Sequence, residues 1–293
     1  MTVPASGVAV VDKPSGWTSH QVVGRCRRIY GTRKVGHAGT LDPMATGVLL
    51  VGVNRATRLL GHLMLTEKEY IATIRLGITT VTDDAEGEIT AVQGCPPTVD
   101  ADLRAAMLPL TGAIQQVPTA VSAIKVDGKR AYARVRAGED VVLAARAVTV
   151  HEFSLLESTT AYAEGVAVLD LAVRVRCSSG TYIRALARDL GAALGCGGHL
   201  TALRRTRVGP FGLDRARKID GTTADLPLIT LDAVAAECFP TLAVDAERAA
   251  GIRHGRSLPG LELDGLTAMV HDGTFLALYR PGAEGARAEA VFV

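Results

Sequence analysis

From Val166 to Cys177 the chain sets apolar residues against small or charged ones with a period near two, as a strand with one buried face does. Shorter runs of the same kind surround it. Residues 7–12 form an apolar run ending at the turn Lys13-Pro14-Ser15-Gly16, residues 47–53 form another, and residues 70–76 alternate. Helical patterns are fewer. One covers residues 20–30 behind the cap Thr18-Ser19, and one opens at Val99-Asp100 and runs to Leu108. A third covers residues 181–194, with Ile183, Leu186, Ala187 and Leu190 on one side and Gly195 as its stop. Strands outnumber helices and do not follow βαβ alternation. The expected class is therefore α+β with a mixed, largely antiparallel sheet.

At 293 residues the chain has length for one large domain or two smaller ones. A further helix over Leu231–Cys238 is followed by Phe239-Pro240, and a domain break is expected there. Beyond it, short strands at residues 267–271 and 274–279 meet at an Asp-Gly turn. That pattern predicts a small β-rich module over 239–293 after a larger domain over 1–238.

The 32 basic and 30 acidic residues nearly cancel, which excludes a histone-like polycation. The balance is not local. Residues 1–50 hold 6 basic and 2 acidic side chains, whereas residues 51–100 hold 4 and 7. Residues 125–136 hold five bases to one acid, and residues 204–218 hold six to one. Such patches are the footprint of a polyanion partner, or simply solvated faces. Of the 32 bases 26 are arginines, a choice that suits bidentate phosphate contacts and that a GC-rich genome also produces. Aromatics make up 4%, too few for a single-strand stacking platform.

Five cysteines at no CxxC spacing argue against a disulfide framework or a cysteine zinc site. Residues 1–11 lack a basic leader, and no apolar run approaches ~18 residues, so a cytoplasmic chain is expected.

The chemistry concentrates in Gly36-His37-Ala38-Gly39-Thr40-Leu41-Asp42-Pro43-Met44-Ala45-Thr46-Gly47. Small residues surround one carboxylate and let another backbone come close. Pro43 drives Asp42 toward extended geometry, and the apolar strand that follows supplies a stiff support. Two readings stand on the residues alone: Asp42 caps backbone amides in a turn, or it is a held catalytic carboxylate. His37 could serve as acid/base, as phosphate ligand or in packing. No second His or Cys falls at ligand spacing, so a metal is not expected. His199, His254 and His271 are read as structural.

That segment, with the upstream Asp12-Lys13-Pro14-Ser15-Gly16-Trp17-Thr18-Ser19, resembles the TruB family of tRNA pseudouridine synthases. Further matches follow in order: Lys68-Glu69-Tyr70, the loop from Gly77 to Gly87, the stretch from Ser122 to Arg130, the stretch from Gly180 to Gly191, and Leu203-Arg204-Arg205-Thr206-Arg207-Val208-Gly209. The resemblance implies a catalytic domain of the pseudouridine synthase type, a thumb-like RNA-binding insertion at about 115–150, and a C-terminal PUA-like module. It implies Asp42 as the essential carboxylate, Tyr70 packed on the target base, and Arg184 paired with Asp42. It implies RNA contacts from His37, Lys13, Lys125, Lys129, Arg130, Arg204 and Arg205, with Leu203 lining the pocket. Val121 stands where relatives often carry an aromatic.

The implied activity is isomerisation of uridine 55 in the tRNA T-loop. The glycosidic bond breaks, the base turns, and C5 rejoins the ribose. Nothing is transferred or oxidised, so no cofactor is expected, in keeping with the lack of dinucleotide and P-loop motifs. The implied partner is tRNA, bound by a monomer without an obligatory protein partner. A non-catalytic RNA-binding or tRNA-folding protein on the same scaffold is the competing reading, but a pure binder has no use for Asp42, Tyr70 and Arg184. A hydrolase calls for a second positioned carboxylate, and no matched segment is read as supplying one.

Overall fold

The computed structural model describes residues 5–119, 125–126, 129–130 and 143–293. In chain order the elements that position the site are β1 (Gly7–Lys13), α1 (Ser19–Ile29), β2 (Val35–Ala38), β3 (Thr46–Val53), β4 (Lys68–Leu76), β5 (Ile78–Thr80) and β6 (Ile89–Val92). Then come α2 (Asp100–Met107), β7 (Gly112–Gln116), β8 (Lys125–Val126), β9 (Lys129–Arg130), β10 (Arg146–Ala163), β11 (Val166–Cys177), α3 (Ile183–Ala193) and β12 (Gly198–Val208). The α+β class with mixed pairing is as expected. The chain forms two compact units.

The first unit joins residues 1–42 and 48–64 to residues 209–293. β1 lies beside β3 and pairs with Arg217–Lys218 in parallel and Ile229–Thr230 antiparallel. β2 runs antiparallel to β3, with His37 opposite Val51. The cap expected at the first helix is a full capping box: Thr18 accepts from Gln21, and the Gln21 side chain returns to the Thr18 amide. Tyr30 ends this helix by donating to the Leu226 carbonyl at 2.9 Å. The C-terminal strands form a separate five-stranded sheet around Met269, Leu276, Ala277 and Tyr279, all 0% exposed. Arg55 and Arg58 donate to the Phe292 and Val291 carbonyls at 2.8 and 2.7 Å.

The second unit joins residues 43–47 to residues 65–208. Its strand order is β12-β4-β11-β10-β7, antiparallel throughout, and the start of β3 pairs in parallel with Arg204 and Arg205 of β12. β4 alternates strictly, with Lys68, Tyr70, Ala72, Ile74 and Leu76 buried. Two elements depart from expectation. Residues 204–208, read as part of a basic patch, lie inside the strand β12, and its pleat buries Arg205 while Arg204 and Arg207 stay half-buried. The helix expected from Thr181 begins at Ile183, because the Tyr182 amide is captured by Gln116 Oε1 at 2.7 Å and Thr181 Oγ1 donates to Ser178. His199, read as structural, is buried with Nδ1 2.8 Å from the Ile78 carbonyl. Val121 and most of the thumb-like stretch around residues 120–142 lie outside the described residues.

Candidate active site

In the first unit the carboxylate loop is held from behind. Ser19, the first residue of α1, is buried, and its Oγ accepts from the Leu41 amide at 2.9 Å and donates to the Leu41 carbonyl at 3.2 Å. Both backbone groups of the residue before Asp42 are thereby satisfied by one hydroxyl. Leu41 itself is buried, so the loop is anchored by packing as well. His37 stands on β2 with its ring edge-on to His20, centroids 6.4 Å apart. Lys13 is not presented on the surface. It is 0% exposed, and its ammonium donates to the carbonyls of Pro14 (2.9 Å) and Trp17. In this position it braces the turn between β1 and α1.

In the second unit, Tyr70 is buried on β4, with Val175 and Arg205 as its register neighbours on β11 and β12. Leu203 is buried opposite Ala72, two residues along the same strands. Arg205 is buried at 1% exposure, whereas Arg204 donates to Thr46 Oγ1 at 3.2 Å. Lys68 shares the buried face of β4 with Tyr70, and its Nζ donates to the Thr66 carbonyl at 2.6 Å. Burial pushes its ammonium down to about 8, the Arg205 charge adds to the shift, and the Cys177 thiol opposes it. Burial pushes that thiol up to about 11.

Arg184 projects from the first turn of α3 and is 6% exposed. Its Nη1 donates to the Thr82 carbonyl at 2.9 Å and lies 3.4 Å from Asp84 Oδ2. Asp84 Oδ1 accepts from the Glu86 amide at 3.1 Å and from Thr82 Oγ1. A buried guanidinium is thus held by a carboxylate that is itself oriented by an amide and a hydroxyl. Four residues along α3, Arg188 lies 3.2 Å from Asp83 Oδ2. Burial pushes the Asp83 carboxyl above the usual carboxylate range, against the Thr119 hydroxyl and the two arginines.

The structure therefore brings Tyr70, Leu203 and Arg205 onto neighbouring strands of one unit, with Arg184 held by the 82–84 turn of that unit. Asp42 and His37 lie with Lys13 in the other. Lys125, Lys129 and Arg130 fall on the short pair β8–β9, where the backbone register pairs Lys125 with Arg130 and Val126 with Lys129. Sequence reasoning assigned no site role to Ser19, Lys68, Thr82, Asp83, Asp84 or Arg188. The signal for the acids was present in the adjacent Asp83-Asp84 of a matched loop; Ser19 looked like a cap and no more. Among the described residues no cluster of three or more His, Cys, Asp or Glu could hold a metal ion. Among the same residues, no helix is long and apolar enough to cross a membrane.

Comparison with known proteins matches three consecutive segments. Residues 27–183 match "TruB family pseudouridylate synthase (N terminal domain)". Residues 184–236 match "tRNA pseudouridylate synthase B C-terminal domain", and residues 239–293 match "tRNA Pseudouridine synthase II, C terminal". The tRNA pseudouridine synthase B of Cutibacterium acnes is 59% identical over 287 residues, covering 97% of this chain and 96% of that protein. The protein of the same name from Streptomyces griseus is 55% identical, covering 99% and 98%. Among solved structures, a chain of a Cbf5-Nop10-Gar1 complex superposes with a TM-score of 0.71 at 27% identity, covering 98% of this chain and 85% of that one.

Proposed function

The chain belongs to the TruB family of pseudouridylate synthases, and from that premise we propose that it isomerises uridine to pseudouridine in the tRNA T-loop, at position 55. The observation that carries this reading is the succession of three family segments, residues 27–183, 184–236 and 239–293, which together cover most of the chain.

The target uridine lies inside a folded loop and has to be flipped out before any group can reach its ribose. Tyr70 then stacks on the free base. The Asp42 carboxylate opens the reaction, either by attack that breaks the glycosidic bond or by taking a proton from the ribose. The base turns and C5 bonds to C1′, displacing the Asp42 carboxylate in the first route or with the ribose proton returned in the second; C5 then gives up its proton while N1 ends with one, and Tyr70 is placed to serve that step. Substrate and product are isomers, so the chemistry needs no cofactor. Arg184 takes the role of the arginine partner that the family resemblance gives Asp42. Leu203 lines the base pocket.

His37 contacts the RNA near the flipped nucleotide, and Arg204, Lys125, Lys129 and Arg130 meet phosphates. Lys13 serves RNA binding by bracing the turn between β1 and α1, and Arg205 serves it from its buried place on β12. Residues 1–238 act as the catalytic domain, with the thumb-like insertion at about 115–150, and residues 239–293 act as a PUA-like RNA-binding module. The enzyme works on tRNA as a cytoplasmic monomer without an obligatory protein partner. Incubation with an unmodified tRNA transcript, followed by mapping of pseudouridine along the whole RNA, tests this. Modification confined to position 55 supports it, and modification elsewhere or none at all overturns it.

A further inference from the structure

The turn that holds Arg184 is held in its own right by a second acid. Asp83 has φ 57, a left-handed backbone that a non-glycine residue keeps only when its surroundings determine it. Its Oδ2 accepts from Thr119 Oγ1 at 2.8 Å and from Arg188 Nη1 at 3.2 Å. Arg188 also donates from Nη2 to the Val117 carbonyl at 2.8 Å and from Nε to Asp189 at 2.9 Å. Arg184 and Arg188 are four apart on α3, so they lie on one face a turn apart. Two consecutive acids therefore hold two successive arginines of one helix face, Asp84 the first and Asp83 the second. Two groups that touch Arg184, the Thr82 carbonyl and the Asp84 carboxylate, flank Asp83 on either side, so rotation at Asp83 moves both.

We propose that Asp83 and Arg188 are positioning residues for the isomerisation, acting through the 82–84 turn on the guanidinium of Arg184. This rests on the reading that Arg184 serves the reaction. The pair touches no reacting atom. Its work is to hold a strained turn so that Arg184 keeps one orientation.

The test compares wild type with Asp83→Asn, Arg188→Met, the double variant and Arg188→Lys. Each is assayed at 25 °C with an unmodified tRNA transcript, alongside the NMR signal of the Arg184 Nε–H group. Asp83→Asn keeps the shape of the side chain and guards against a variant that fails to fold. Each single removal is expected to slow single turnover by about 10- to 100-fold, with KM changed by less than about threefold. The double variant is expected to be no slower than the worse single one, Arg188→Lys to recover most of the rate, and the Arg184 signal to move in both single removals. An unchanged rate, a raised KM at unchanged rate, or an unmoved Arg184 signal overturns the proposal. Should wild type form no pseudouridine, the isomerase reading falls, and the Arg184 signal decides the positioning alone: displaced, it stands; unmoved, it fails.

Discussion

Gly47 closes the small-residue segment that carries Asp42, and the structure gives a reason for glycine there. Its φ is 100, and it pairs with Arg205 across the start of β3 and β12. A Cβ at this position would lie 2.1 Å from the Arg205 carbonyl oxygen and 2.9 Å from that residue's N and C. Ordinary contact begins near 3.4 Å, so the two backbones would have to part by more than 1 Å. For Gly47→Ala the positive φ costs about 1–2 kcal/mol, and forcing the strands apart costs about 1–3 kcal/mol more. A total near 3 kcal/mol lowers the melting temperature by about 6–12 °C for a chain of this size. The displaced strand start adjoins the loop of Asp42 in sequence, and a shift of ~1 Å at a catalytic group costs up to about 100-fold in rate. Gly24, inside α1 with nothing within 4 Å of its Cβ, is the control: Gly24→Ala is expected to raise stability by about 1 kcal/mol. Calorimetry and single-turnover assays on both variants check the reasoning. A Gly47→Ala protein that melts within about 2 °C of wild type and keeps full turnover would refute it.

Ser19→Ala removes both hydrogen bonds to Leu41 at a buried site, which should cost about 1–3 kcal/mol and slow turnover while tRNA affinity holds; chemical denaturation and single-turnover kinetics read the two effects. An NMR titration of Lys68 should give a midpoint near 8 rather than 10.5. Because that pKa is depressed on folding, the unfolded chain binds more protons between about 8 and 10.5. The group's stability contribution is full above 10.5 and lost as pH falls through about 8. Wild type should therefore gain stability relative to Lys68→Met as pH rises across that window, and a flat difference would contradict the shift. Neutralising Lys125, Lys129 and Arg130 together should weaken tRNA binding and flatten its dependence on salt, and an unchanged slope would remove these residues from the RNA contact.

The period-two runs and the capped amphipathic helix were legible because each is a local pattern. β11 and the helix Leu231–Cys238 match their sequence bounds, and α1 is displaced by one residue. β12 was not legible as a strand. Its Arg204-Arg205-Thr206-Arg207 stretch reads as a solvated basic face until β4 and β3 flank it and bury Arg205. β10, 18 residues long, was missed because its outer half is polar on both faces and shows no alternation. In the site, the single acid among glycines and alanines drew attention to Asp42 by itself. The hold on Leu41 by Ser19, and on the arginines by Asp83 and Asp84, spans 22 to 105 residues of chain, and no local pattern contains such pairings. The burial of Lys13 was hidden for a different reason: its partners are local, but a lysine beside a turn looks exposed until its ammonium is seen on the Pro14 and Trp17 carbonyls.

The central claim is that the Asp42 carboxylate performs the isomerisation. It is tested most directly by mapping pseudouridine in an unmodified tRNA transcript after incubation with wild type or Asp42→Asn, with tRNA binding measured in parallel. The account predicts pseudouridine at position 55 with wild type and none with the asparagine variant, which still binds tRNA. Substantial turnover by Asp42→Asn would contradict it.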